Sequence, residues 1–279
     1  MEVYYVNHKN QKIDLGKSPF QMQIGDIFDY AYKYEGKNCK VARIYKDIST
    51  ISTTITVDAP DKARFCAAVN RLFEVTEADT IANVQGKLYV GNYYLSCNIL
   101  SSDKTFWQET FHGMENAVKL LVPYPFWCRD HVQTFTMGAS RSAELLKTDP
   151  YLYYPITYPY KYSTPKDVGT LRNDHYAACD FKMIIYGPCE NPAVHINGHL
   201  YEVFVTLRTG EYLLIDSREN LVQRYAIDGR VENIFNARNK ESSLFEKMPA
   251  GQSTVIWNVA AFGFDVILFQ ERSEPLWSL

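Results

Sequence analysis

The sequence is notable first for what it lacks. No stretch approaches the roughly 18 consecutive apolar residues that a membrane-spanning helix needs. The opening residues, Met1-Glu2-Val3-Tyr4-Tyr5-Val6-Asn7-His8, carry neither the basic stretch nor the apolar stretch of a secretion signal, so synthesis in a cytoplasm is expected. Basic charge is not in excess: 29 Lys and Arg stand against 32 Asp and Glu, a net of −3, which argues against a protein built to grip nucleic-acid phosphates. Six cysteines fall at scattered positions with no Cys-x-x-Cys pair, which predicts reduced core residues rather than a disulfide or zinc framework. There is no Gly-x-Ser-x-Gly elbow, no glycine loop for phosphate and no His-Glu-x-x-His helix.

Aromatic residues are abundant. Tyr, Phe and Trp make up 14% of 279 residues and tyrosine leads with 21. Such side chains suit strands and wet interfaces. Strand signals dominate the chain: Val3–Val6, the β-branched run from Ile48 to Val57, and the Lys87–Val90 and Tyr93–Ile99 arms around the turn pair Gly91-Asn92. One helix interrupts this half. Asp58 is expected to cap it, Pro60 and Asp61 suit its first turn, and Phe65, Val69 and Leu72-Phe73 form its apolar stripe. Such a stripe ordinarily lies on a sheet, and docking a partner is the alternative. Pro123-Tyr124-Pro125-Phe126-Trp127 cannot continue a central strand, so the first domain is placed at 1–132. Residues 133–165 read as a connector, with a short helix at Ala143–Lys147 and an extended tyrosine–proline strap over Tyr153–Tyr162. The rest, 166–279, shows short strands and closely spaced turn signals such as Asn197-Gly198, the mark of an antiparallel sandwich.

The search for chemistry finds no constellation. His195 and His199 are four apart, but the hairpin pair between them removes the helical face that would make them metal ligands. Cys128 with Arg129 and His131 lacks a group to orient the imidazole. Asp216 at a strand end reads as a turn cap with Ser217 rather than an acid catalyst. No catalytic, metal-binding or cofactor-binding residue is assigned, no cofactor is expected, and an enzyme is not expected.

Several segments resemble, in order, the distal tail proteins of long-tailed bacteriophages that infect Gram-positive bacteria. These are Gly86–Leu95, Leu121–Trp127, the Tyr153–Tyr162 strap, Ile185-Tyr186-Gly187, Asn191-Pro192, His195–Gly198, Leu214–Ser217, Asn233–Asn236 and Pro249–Gly251. Asp26–Glu35 departs from the pattern in being more aromatic and more charged. The resemblance implies a mainly β chain: an N-terminal β-sandwich belt domain with one helix, and a C-terminal galectin-like antiparallel β-sandwich. It implies a structural hub at the virion tail tip, assembled in the host bacterial cytoplasm. The hub would be a homo-oligomeric ring, most often hexameric, joining the major tail tube protein to the tail-tip fibre or lysin protein and to receptor-binding proteins. No membrane is involved, and DNA is only cargo through the ring.

Cyclic rings need heterologous contacts, in which two different faces meet. The first domain's edge strands and helix are the expected contact elements. Phe65, Val69, Phe73, Tyr153, Tyr154, Tyr158 and Tyr160 are the candidate interface residues. The alternative is a carbohydrate-binding module or adhesin recognising host cell-wall glycan, with Trp257 and Trp277 as stacking candidates, although each also reads as a core residue.

Overall fold

A computed structural model describes residues 2–108, 110, 112–136, 167–258 and 261–276. The chain is mainly β and has one long helix among these residues. It divides into two compact units: Met1–Arg129 with Glu271–Leu279, and Asp130–Gln270. Sequence reasoning assigned everything from 166 onward to the second domain; the structure groups the stretch from Glu271 with the first. The expected short helix at Ala143–Lys147 and the tyrosine–proline strap lie outside the described residues.

In the first unit the strands are β1 (Val3–Val6), β2 (Lys12–Asp14), β3 (Phe20–Met22), β4 (Lys33–Lys37), β5 (Lys40–Tyr45), β6 (Ser49–Asp58), β7 (Gly86–Val90), β8 (Tyr93–Trp107) and β9 (Gly113–Val122), with helix α1 (Lys62–Ile81) between β6 and β7. β8 organises them. Its first residues pair with β7, continuing through β1 to β2, while Asn98–Trp107 pairs with β9, which leads to β6 and β3. Register shifts at Ile99/Ser101 and Lys104/Phe106 let one strand serve both layers, as strands do at sandwich corners. The turn between β7 and β8 uses Gly91 at φ +58°, a conformation glycine adopts without strain.

Alternation fills the interior. Val3, Tyr5, Ile55, Val57, Leu88, Leu95, Met114, Val118 and Leu120 form one buried cluster with Phe65, Leu72 and Val75 of α1. Each such aliphatic side chain contributes about 1.5–3 kcal/mol when fully buried. The helix starts later than the sequence suggests. Asp58 is still a strand residue paired with Gly113, so Asp61 caps instead, its carboxylate accepting from the Arg64 amide at 2.8 Å. Beyond Ala82, Asn83 turns left-handed at φ +52° and ends the helix.

One polar group sits inside this core. Asp79 is fully buried and accepts from the Tyr5 hydroxyl at 2.6 Å and from the His8 amide at 2.8 Å, with the His8 ring Nδ1 against the same oxygen. The Tyr5 phenol is pushed far above its ordinary pKa, chiefly by burial and also by neighbouring Cys97 and Asp79. Gly86 leaves the room for this arrangement, because a Cβ there would stand 2.0 Å from the Tyr5 oxygen and 2.3 Å from Asp79 Oδ2.

Strand β10 (Trp127–Phe135) begins in the first unit and ends in the second, and β21 (Phe264–Arg272) returns. Pro123–Phe126 does break the pattern, but Trp127 then opens a strand, and its ring lies in the first core, edge-on to Phe28 at 5.8 Å.

The second unit also contains β11 (Asp167–Asn173), β12 (Asp180–Tyr186), β13 (Cys189–Glu190), β14 (Ala193–Ile196), β15 (His199–Glu202), β16 (Thr206–Leu207), β17 (Tyr212–Asp216), β18 (Leu221–Tyr225), β19 (Val231–Asn233) and β20 (Gly251–Trp257). One sheet runs β19-β18-β17-β12-β21 and another β11-β20-β14-β15, all antiparallel. Phe181, Met183, Ile185, Leu213, Ile215, Val266 and Leu268 of the first meet Leu171, Val194, Ile196 and Val255 of the second in one buried cluster. The β14–β15 turn has both Asn197 (φ +49°) and Gly198 (φ +84°) left-handed, as a primed hairpin turn requires.

Candidate interaction site

The expected chemical candidates resolve into structure. His195 lies opposite Leu200 in the hairpin register, and the His199 ring packs 2.7 Å from the Ser243 carbonyl. Asp216 Oδ1 accepts from the amides of Arg218 and Glu219, while Ser217 Oγ accepts from the Phe181 amide, the capping arrangement its position suggests. Cys97, Cys128 and Cys179 are buried, all six cysteines are free, and burial pushes the Cys97 thiol up to about 12. Among the described residues no group of three His, Cys, Asp or Glu side chains is placed to hold a metal. No helix there is long and apolar enough to cross a membrane.

The candidate contact residues fare differently. Phe65 is 4% exposed and its ring belongs to the core, while Val69 packs against that core from the helix flank. Neither offers a free surface, because the stripe that makes α1 amphipathic is spent on the sandwich. Phe73 is half-buried, with the Lys104 ammonium 4.7 Å above its ring. Tyr153, Tyr154, Tyr158, Tyr160 and Trp277 lie outside the described residues. Trp257 is 5% exposed, wedged edge-on to Phe135 and Phe264, with its Nε1 donating to the Phe262 carbonyl at 3.2 Å. Its face is not available to a sugar ring.

The open surface lies in two other elements of the first unit. One is the β4–β5 hairpin. Its strands pair with each other and, among the described residues, with no other strand. Every residue from Lys33 to Ile44 is exposed, including Tyr34 at 75%, Val41 at 62% and Ile44 at 64%. Tyr34 and Ile44 face each other across the strands. At the tip, Asn38 and Cys39 take positive φ, and just inside it a Cβ on Gly36 would stand 2.7 Å from the Lys40 carbonyl. A two-stranded ribbon on its own is marginal in water. The sequence shows only that Asp26–Glu35 is aromatic and charged and does not reveal the hairpin, since Asn38-Cys39 is not a standard turn pair.

The other element is the outer part of β8. From Leu100 to Phe106 it lies beside β9 on one side and, among the described residues, beside no strand on the other, while Ile99 and Asn98 before it bond Thr80 and Val84. Leu100, Asp103, Lys104, Thr105, Phe106 and Trp107 are exposed. A long open edge of this kind is a template for another strand.

At the hairpin's root the chain enters through Asp29–Tyr32 and leaves through Lys46–Ile48. Lys33 and Asp47 pair at 2.9 Å across it, which raises the ammonium's pKa and lowers the carboxyl's. Lys46 is half-buried. Its ammonium donates to the Pro125 carbonyl at 3.0 Å and lies 4.6 Å from the Phe126 ring centre, 4.8 Å from Tyr30 and 5.1 Å from Tyr32. Burial lowers its pKa to about 8. The Tyr32 and Ser273 hydroxyls share a 2.7 Å hydrogen bond. Beside this cluster opens a cavity of about 480 Å³, with Asp26, Asp29, Asp47 and Trp127 in its wall. No sequence signal could have joined Lys46 to Phe126, 80 positions along the chain.

No family model matches the chain, and neither does any curated protein. Solved structures do match over nearly their whole length, among them a phage hub protein and phage baseplates. The crystal structure of the SPP1 Dit protein is described as a paradigm of the hub adsorption apparatus in phages infecting Gram-positive bacteria. It aligns with a TM-score of 0.57 and 7% identity, covering 97% of this chain and 99% of that one. Structures of the phage P2 baseplate in its activated conformation, with Ca and with Sr, align with a TM-score of 0.58, 10% and 11% identity, and coverage of 98% and 99%. At this identity the likeness shows a shared fold.

Proposed function

We propose that the chain is a structural hub protein of a bacteriophage tail tip, which joins copies of itself into a ring. The observation that carries this reading is the presence, in one compact unit, of two different β surfaces that no further strand covers among the described residues: the exposed β4–β5 hairpin and the Leu100–Phe106 edge of β8. A surface that recognises a different surface on the next copy makes a heterologous contact, and such contacts close into a ring when the rotation from copy to copy adds up to a full turn. The fold shared with the SPP1 and P2 proteins supports the same setting. Six copies, with the major tail tube protein on one side and the tail-tip fibre or lysin protein and receptor-binding proteins on the other, complete the proposal. DNA passes through the hole as cargo. The virion tail is its final location, and assembly takes place in the host cytoplasm.

The test is the mass in solution by light scattering over a range of concentrations, with negative-stain images. A mass six times the 32.2 kDa chain, in rings, is expected. A chain that stays monomeric at all concentrations, alone and with tail tube protein, overturns the proposal.

A further inference from the structure

The hairpin that carries the open apolar pair is joined to its unit through two short segments, and one side chain touches both. Lys46 leaves β5, while Tyr30 and Tyr32 lead into β4, and the ammonium of the first lies over the rings of the other two. It also grips the body through the Pro125 carbonyl and the Phe126 ring. The remaining bonds at the root are weaker holds. Lys33–Asp47 is an exposed ion pair, with side chains 61% and 51% exposed, and such pairs contribute little. Tyr32–Ser273 is a single exposed hydrogen bond. A cation held against aromatic faces and a carbonyl, half out of water, is the stronger hold.

We propose that Lys46 is the catch that sets the direction in which the β4–β5 hairpin leaves the body, and so whether the hairpin is presented to a neighbouring copy. The first half of this inference stands on the geometry alone, and the second rests on the assembly proposed above. The terminal nitrogen, not the aliphatic stem, carries the catch: a methionine would fill the same space without donating to the carbonyl or lying over the rings. The other ionisable groups around it are Lys33 and Asp47 on the hairpin strands' ends, Asp26 and Asp29 on the entering segment, and the phenols of Tyr30 and Tyr32.

The experiment compares the full chain with Lys46→Met, Lys46→Arg and Tyr30→Leu at neutral pH. It reads amide hydrogen exchange over residues 29–48 and association by light scattering. Lys46→Met is expected to speed exchange in 29–32 and 46–48 about tenfold, from the loss of a partly desolvated cation–aromatic contact and its hydrogen bond. Exchange in α1 and β9 should stay unchanged, and association should weaken. Lys46→Arg, which keeps an N–H donor for the carbonyl and a group over the rings, is expected to restore most of the protection. Tyr30→Leu, at a half-exposed position that cannot endanger the core, should give a smaller change in the same direction. Unchanged root exchange in both Lys46→Met and Tyr30→Leu overturns the catch, whether or not rings form. Faster root exchange with undiminished association overturns its link to assembly and leaves the catch standing. Faster root exchange in a chain whose parent never associates supports the catch and sinks the proposed function instead.

Discussion

Replacing the two side chains that face each other on the hairpin, Tyr34→Asp with Ile44→Asp, should abolish self-association while leaving the fold intact. Tyr34, Val41 and Ile44 are 75%, 62% and 64% exposed, so about two-thirds of each side chain remains to be buried. A fully buried side chain of this size contributes about 1.5–3 kcal/mol, which puts the three together at about 3–6 kcal/mol per contact before association costs. The double substitution removes about two-thirds of that. It also places two carboxylates where a partner strand would desolvate them. A loss of at least about 2–4 kcal/mol per contact follows, or roughly 30-fold to 1,000-fold in each dissociation constant. Global stability should fall by no more than about 1–2 kcal/mol, since both positions lie in water and the loss is that of one cross-strand pair replaced by opposed like charges. Light scattering at matched concentrations, beside a thermal melt, reads both effects. A variant that associates as tightly as its parent with an unchanged melt would refute the reasoning, since the hairpin face would then contribute nothing.

Gly86→Ala should cost about 2–4 kcal/mol in urea unfolding, because its Cβ displaces the Tyr5 hydroxyl from Asp79 inside the core; a cost below 1 kcal/mol would show that the site relaxes freely. Phe65→Ala should cost about 3–5 kcal/mol of stability, and a variant that lost association with an unchanged melt would return α1 to the list of contact surfaces. Lys46 gives a pH signature. Its folded pKa of about 8 lies below the ordinary lysine value, so between the two the unfolded chain holds a proton that the folded chain lacks. The stability of the parent relative to Lys46→Met should therefore rise with pH above 8 and fall back as pH drops through 8. Paired urea titrations at pH 7 and pH 9.5 check the sign. Trp257→Phe should lower stability by about 1–2 kcal/mol and leave the protein's behaviour toward cell-wall glycan unchanged, as expected of a ring packed against Phe135 and Phe264.

Periodicity made much of the fold legible. The β-branched run became β6, the Gly91-Asn92 and Asn197-Gly198 pairs became hairpin turns, and the stripe on the one clear helix became its buried face. Local signals misled where a longer-range contact took precedence: Asp58 looked like a cap until its pairing with Gly113 held it in the sheet. The candidate site was far less legible. Phe65 and Val69 stand out in the sequence because they are apolar on a helix, the same property that draws them into or against the core. The hairpin depends on left-handed Asn38 and Cys39, which composition does not reveal, and its catch joins residues from three separate segments. Contacts of that kind are set by tertiary packing and leave no pattern along the chain.

The second unit is nested within the first, as a guest within a host. A ribosome releases the chain in order, so the host lacks the residues from Glu271 onward until the whole guest has been made. Among those late residues, Glu271 accepts the Tyr124 hydroxyl at 2.6 Å, and Ser273 bonds Tyr32 at the root of the hairpin. One bond of the arm through which copies would meet thus forms only after the guest has been synthesised. A chain that has not yet reached Ser273 carries the hairpin root without that hydrogen bond, so the root is completed across the full length of the guest.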